Sequence, residues 1–268
     1  MNKTIRFIGA GNMGEAMIKK LIESDEFGKE NIIATAKTVE TREKIKNTYD
    51  IKVLEDTSEV AKNADYLVLA VKPHQYENIL IEIREALKKD AIVISIAAGI
   101  SSNFMRKNLN NETKFVNIMP NTPVMVGEGM IALYANERLD ANDVNDLLSI
   151  FSIFGKVEVI EEDLMDAVTA VSGSSPAFVY MMIEAMADAA VLLGMKRDKA
   201  YTFAAQAVLG AAKMVLETKE HPGILKDKVC SPGGTTIEGV KELEGKNFRS
   251  AVIDASVAVA KKSKSMNK

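Results

Sequence analysis

Apolar residues in the first part of the chain follow two alternating rhythms. Some form short unbroken runs; others recur every three or four positions over longer stretches. TIRFIGA, NIIATA, KVLED, ADYLVLAVKP, DAIVISIAAG, KFVNIMPNTP, GMIALYANE and KVEVIE have the length and composition of strands. Between them, MGEAMIKKLIES, VETREKIKNTY, YENILIEIREALKK and DVNDLLSIFSIFG carry helical periodicity. Apolar strands separated by helices predict an α/β domain with a doubly wound parallel sheet, buried on both faces. The pattern changes near Glu161. Beyond it no strand is predicted, and Ala- and Met-rich helices follow: DLMDAVTAVSG, PAFVYMMIEAMADAAVLLGM, RDKAYTFAAQAVLGAAKMVLET, TIEGVKELEG and FRSAVIDASVAVAKK. HPGILKDKVC reads as a short turn. Two domains are expected, α/β over 1–160 and all-α over 161–268.

The helix predicted from Pro176 to Met195 is apolar almost all round, with Glu184 and Asp188 four apart on one side. Such a helix needs cover on most faces, and a segment of about 105 residues offers little interior. A second subunit is the expected cover; the centre of a monomeric bundle is the alternative. The two acids argue against a membrane span, and no secretory signal precedes the first strand. The net charge of −3 gives no reason to expect a nucleic-acid partner. A single cysteine, Cys230, excludes an internal disulfide and fits a reducing, cytoplasmic setting. The lysine-rich end, KKSKSMNK, reads as a frayed, solvated tail.

Candidate chemistry begins in the first turn. FIGAGNMG places Gly9, Gly11 and Gly14 as G-x-G-x-x-G directly after a strand and at the opening of a helix, the context that the dinucleotide fingerprint of a Rossmann-type sheet requires. The second strand ends Ala34, Thr35, Ala36, Lys37, with no carboxylate to grip a ribose 2′-hydroxyl. Thr35 can donate to a 2′-phosphate and Lys37 can attract it, with Arg42 one turn further on; an ordinary solvated lysine is the alternative for Lys37. This favours NADPH over NADH, with NADH possible. Small-residue turns at Ala70, Val71, Lys72 and Pro73, at Ala97 to Gly99, and at Met119 to Pro123 lie where open α/β sheets bind ligands.

The second candidate is VCSPGGTTIEG, Val229 to Gly239. Pro-Gly-Gly stops one helix and a threonine caps the next. Bare backbone N–H groups at such a start attract anions. Acid–base chemistry, by contrast, is scarce. His74 and His221 each sit beside a proline, with neither metal-ligand nor triad spacing, and no metal site is expected. Reduction of a C=N bond suits such a chain, because a protonated imine needs little beyond a well-placed hydride. Thr236 could hold the nitrogen and its proton.

FIGAGNMG, AVKP, MPNTP, VSGSSPAF and CSPGGTT, in that order, resemble the pyrroline-5-carboxylate reductase family over essentially the whole chain. The resemblance implies NAD(P)H-dependent reduction of a cyclic imino acid, 1-pyrroline-5-carboxylate, to L-proline, the last step of proline biosynthesis. It also implies a Rossmann domain followed by a helical dimerisation domain, with the substrate site where two subunits meet. Ser231, Gly233, Gly234, Thr235 and Thr236 would surround the substrate carboxylate, with Thr236 catalytic near the ring nitrogen. Ala10, Asn12 and Met13 join the glycines as cofactor residues, with Thr35, the 70–73 turn, Ala97 and Asn121. Thr57, Ser175 and Lys228 depart from the family's pattern. A β-hydroxyacid dehydrogenase-like oxidoreductase is disfavoured because no lysine lies between Ser172 and Gly194. An NADPH-binding redox sensor would leave the Gly-Gly-Thr-Thr turn without a purpose.

Overall fold

The computed structural model describes residues 3–24 and 27–266. The strands are β1 Ile5–Ile8, β2 Ile32–Thr35, β3 Lys52–Leu54, β4 Tyr66–Leu69, β5 Ile92–Ser95, β6 Lys114–Met119, β7 Gly129–Ala135 and β8 Gly155–Val159. They form one sheet in the order β3-β2-β1-β4-β5-β6-β7-β8. Successive strands are laid down to one side of β1 as far as β3 and to its other side from β4 onward, which makes the C-terminal edge between the parallel β1 and β4 a switch point, where such sheets bind ligands. Alternate residues of each inner strand serve opposite faces. Ile5, Phe7, Tyr66, Val68, Ile92 and Ile94 belong to one buried cluster, whereas Ile8, Leu67, Leu69 and Val93 belong to the other. Burying each such side chain contributes about 1.5–3 kcal/mol, which is why these strands read as unbroken apolar runs.

The helices of this part are α1 Asn12–Glu23, α2 Val39–Tyr49, α3 Thr57–Ala61, α4 Tyr76–Ile83, α5 Ser102–Asn108, α6 Ala141–Ser152 and α7 Met165–Val168. The sequence pattern did not disclose α3 and α5, which are too short to show a period. One departure concerns sheet direction: β7 runs antiparallel to β6, with Asn117 beside Tyr134. Only residues 120–128 join the two strands, whereas a parallel crossover needs a dozen residues or more. All other pairs are parallel, β7 with β8 included.

After β8 the described residues are helical: α8 Ser175–Leu192, α9 Arg197–Thr218, α10 Pro222–Val229, α11 Thr235–Gly245 and α12 Phe248–Met266. Segment α10 is a helix where a turn was expected. Pro222 occupies its first turn, where a missing N–H costs nothing, and His221 Nδ1 accepts from Gly223 N at 3.1 Å as the cap. By compactness the chain divides into residues up to Gly173 together with those from Val259 onward, and Ser174–Ala258.

In the second unit Ala187, Ala200 and Ala204 are buried where α8 meets α9, and Arg197 pairs with Asp188 at 2.5 Å. Much of its apolar surface is open: Leu192 is 88% and Phe203 65% exposed. By length and composition alone, the run Glu162–Leu192 is apolar enough to cross a membrane, although it carries Glu162, Asp163, Asp166, Glu184 and Asp188. The expected frayed tail is also corrected. Helix α12 continues through Met266, and Ser263, nearly buried, donates to Asp166 Oδ1 at 2.6 Å within the first unit. The expected solvation holds for the tail's described lysines, which are exposed, and it is the fraying that the ordered helix and this contact correct. Residues 267–268 lie outside the described residues.

Candidate functional site

The loop between β1 and α1 is shaped by what its glycines exclude. Gly9 has φ +97°, and a Cβ there would lie 2.5 Å from the Ala70 carbonyl oxygen. Its N–H donates to Thr35 O at 2.9 Å, while Ala70 N donates to Ile8 O at 2.8 Å. The turn after β1 is thus wedged between the ends of β2 and β4. A Cβ at Gly14 would lie 2.6 Å from Gly9 O, so α1 packs tightly on the turn. Gly11 differs: nothing lies within 4 Å of where its Cβ would be. It is the N-cap of α1 and offers no side-chain cap, so the first N–H groups of α1 face open space. Bare helix-start amides beside a missing side chain form an anion cradle.

That space is a cleft of about 640 Å³, lined by the turn from Gly9 to Met13, by Ala36 and Lys37, and by Ala70, Val71 and Lys72. An adjoining hollow of about 300 Å³ reaches Thr35, Arg42, Glu55, Thr57 and Ile79. A cleft with an open anion cradle and a second, partly apolar hollow beside it fits a dinucleotide. The sequence reading missed several of its walls: Glu15, Thr38, Thr41, Lys44, Gln75 and Ile96. Thr38 was legible as a cap: its hydroxyl accepts from Thr41 N at 3.3 Å at the start of α2. Lys44 holds Glu15 at 2.6 Å, a pairing that nothing in the sequence displays.

Other expected residues have different settings. The buried Thr35 hydroxyl donates to the Glu55 carbonyl at 3.3 Å, which leaves its lone pairs and no second proton for a ligand. Arg42 donates to Ala36 O at 2.9 Å and pairs with Glu55 at 3.1 Å. Pro73 opens a short 3-10 turn, Pro73–Gln75, in which Gln75 Oε1 accepts from Lys72 N at 3.3 Å. Asn121 is tied at both ends, donating to Ser172 O at 3.0 Å and accepting from Met130 N at 2.9 Å; it braces the β6–β7 connection. Ala97 lines a separate small cavity of about 60 Å³ with Asn117 and Asp166. Among the described residues no cluster of His, Cys, Asp and Glu is arranged to hold a metal.

In the second unit, residues Ser231 to Gly234 form a β-turn closed by Gly234 N to Ser231 O at 3.0 Å. Gly233 at its third position has φ +64°, the left-handed region that a type II turn demands. The turn makes Gly234 the N-cap of α11 with no side-chain cap, and Thr235 and Thr236 begin the helix, both exposed. The expected threonine cap is therefore corrected. The closing hydrogen bond fixes the boundary one residue earlier, and the amides at the helix start have no side-chain acceptor. A Cβ at Gly234 would collide with Ser231 Oγ, which folds over this start. Lys228 pairs with Glu220 at 2.5 Å and is exposed.

Sheet order, glycine turn and cleft together define a Rossmann-type dinucleotide-binding protein. Residues 4–99 match the family described as NADP oxidoreductase coenzyme F420-dependent, which makes the class a nicotinamide-dependent oxidoreductase. Residues 162–266 match the description "Pyrroline-5-carboxylate reductase dimerisation". The chain is 48% identical to the pyrroline-5-carboxylate reductase of Escherichia coli (strain K12), with 100% of both chains covered. It resembles the solved structure of the reductase from Coxiella burnetii with TM-score 0.92 and 35% identity, covering 100% of each chain. It is similar to the Plasmodium falciparum pyrroline carboxylate reductase solved with NADP bound, with TM-score 0.90, 32% identity, and 100% and 99% of the chains covered. The chain belongs to the pyrroline-5-carboxylate reductase family. The dimerisation match covers the exposed apolar helices α8 and α9 and supports self-association.

Proposed function

We propose that the chain reduces 1-pyrroline-5-carboxylate to L-proline, with NADPH as the preferred and NADH as an accepted cofactor. Domain roles follow the change of pattern near residue 160: cofactor binding over 1–160, dimerisation and substrate binding over 161–268. When bound, the nicotinamide supplies a hydride to the C=N carbon. The chain's own residues do the rest. The α1 amides beside Gly11 hold the pyrophosphate, and Lys37 offers the charge that distinguishes a 2′-phosphate from a hydroxyl. Ser231, the Gly233–Gly234 turn and the first amides of α11 receive the substrate carboxylate. The observation that carries this reading is the uncapped start of α11 behind a left-handed glycine, an anion site that needs no arginine. Thr236 Oγ1, on the first turn of the same helix, orients the ring nitrogen and its proton, so that acid–base work reduces to holding a proton already present.

The test is cofactor consumption by the purified chain, with pyrroline-5-carboxylate and a small panel of cyclic imines. Turnover of the carboxylated imine, and weak turnover of its analogue lacking the carboxylate, is the expected result. Binding of NADPH without oxidation would instead mark a sensor. Thr236→Val should depress turnover about tenfold or more while NADPH affinity stays within about twofold; equal losses in both would displace Thr236 from the substrate.

A further inference from the structure

Lys37 is not the only charge at the adenosine end of the cleft. Arg42 donates to Ala36 O at 2.9 Å and to Lys37 O at 3.3 Å, the carbonyls of the turn that follows β2. Its other terminal nitrogen meets Glu55 Oε1 at 3.1 Å. Arg42 is largely enclosed, with 16% of its side chain exposed, whereas Glu55 is 84% exposed. Both line the 300 Å³ hollow together with Lys37 and Thr35. In the sheet, Leu54 of β3 lies beside Thr35 of β2, so Glu55 follows at the level of Ala36. A nicotinamide site that prefers the unphosphorylated cofactor usually places an acid at the end of β2. Here β2 supplies none, and an acid arrives at the same level from the neighbouring strand.

We propose that Glu55 is a specificity-determining residue for the cofactor: by holding Arg42 beside the turn after β2, it lowers the preference for NADPH over NADH. The inference rests on the reading of that turn as the 2′-phosphate site. A phosphate there attracts Arg42 and is repelled by Glu55. A ribose hydroxyl feels neither strongly and can donate to the carboxylate. Neutralising Glu55 therefore helps one cofactor and not the other. Arg42 is a positioning residue in the free protein, because it fixes the carbonyls of the two peptides that flank the Lys37 Cα and so the path of the Lys37 backbone.

The experiment is a titration of the full-length chain with NADPH and NADH, without substrate, followed by nucleotide fluorescence at low and high ionic strength. Glu55→Gln should tighten NADPH binding by about two- to fivefold, the size that an exposed ion pair supports, and leave NADH unchanged or weaker. The gain should shrink at high salt and be clearly smaller when Arg42→Gln is already present, where only the direct repulsion by Glu55 is left to remove. An unchanged or lowered preference for NADPH over NADH in Glu55→Gln overturns the inference, as does a gain that is just as large without Arg42. Lys37→Glu separates this from failure of the underlying reading. If the turn does not bind a 2′-phosphate, Lys37→Glu leaves the ratio unmoved and the inference falls with it. If only the role of Glu55 is wrong, Lys37→Glu shifts the ratio and Glu55→Gln does not.

Discussion

Alanine at Gly9 and alanine at Gly11 should fail in opposite ways, although the two residues stand two apart in one loop. At Gly9 the backbone has φ +97°, and a Cβ would lie 2.5 Å from Ala70 O and 2.7 Å from Val71 Cγ1. Such a backbone costs an L-residue about 1–2 kcal/mol, and the collision must be relieved by moving the end of β4, itself fixed by Ala70 N to Ile8 O. Together these place the destabilisation at about 2–4 kcal/mol. For a chain of this size that is a fall in Tm of roughly 5–15 °C. At Gly11 φ is −73° and nothing lies within 4 Å of the added carbon, so Tm should stay within about 2 °C. The new methyl stands instead in the space where the α1 amides meet a pyrophosphate, and NADPH affinity should fall tenfold or more, about 1.4 kcal/mol. Thermal melts of both variants without ligand, paired with NADPH titrations, read the two effects separately. A Gly11→Ala protein that binds NADPH as tightly as the parent would refute the placement of the pyrophosphate. A Gly9→Ala protein that melts with the parent would refute the steric account of the loop.

Lys37→Glu should weaken NADPH by about tenfold and NADH far less, since it replaces a favourable charge with a repulsive one; equal Kd changes for the two nucleotides would remove Lys37 from the phosphate site. Ser263→Ala should cost about 1–2 kcal/mol and raise amide hydrogen exchange over residues 259–266, because the Asp166 contact anchors the end of α12; unchanged exchange would show that other contacts hold it. Asp65 works against partial burial but accepts from Thr4 N at 2.7 Å, from Thr4 Oγ1 at 2.9 Å and from Lys88, which together hold its carboxyl below the usual range. A depressed folded-state pKa contributes stability above the unfolded value, and that contribution is lost as pH falls through the folded one. Asp65→Asn should therefore cost about 1–2 kcal/mol near neutrality, with the difference from the parent closing below about pH 4 in urea unfolding.

Two helices had both ends legible in the sequence: α2, Val39–Tyr49, and α9, Arg197–Thr218. Thr38 accepts from Thr41 N at the start of α2, and Asp50 in the left-handed region ends it. For α9, Lys219 is the left-handed terminator. What the pattern lost follows from its own resolution. Helix α3 spans too few residues to repeat a period. HPGILKDKVC reads as a turn in the sequence because whether Pro222 opens a helix or interrupts one is a three-dimensional fact. The antiparallel β7 was recoverable in principle, since the length of the 120–128 connection already forbids a crossover.

The site divides along a similar line. Residues that must be a particular type for a backbone reason were visible, Gly9 and Gly233 above all, because a positive φ filters the residue types that can stand there. Charged candidates were legible only near the segments that the fingerprint names. Lys37, two residues past β2, and Arg42, in the first turns of α2, were named on that ground. Glu55 stands just past the end of the next strand, one residue after the Leu54 that pairs with Thr35, and the count from the glycines along β2 passes it by. Its carboxylate and the Arg42 guanidinium then change the meaning of Lys37, which becomes one member of a set of charges that contains its own opposition. A fingerprint written along one chain segment identifies the kind of cofactor. On the proposal made for Glu55, which of two closely related cofactors is favoured depends on a balance across the sheet, and that balance exists only once β2 and β3 are paired in register.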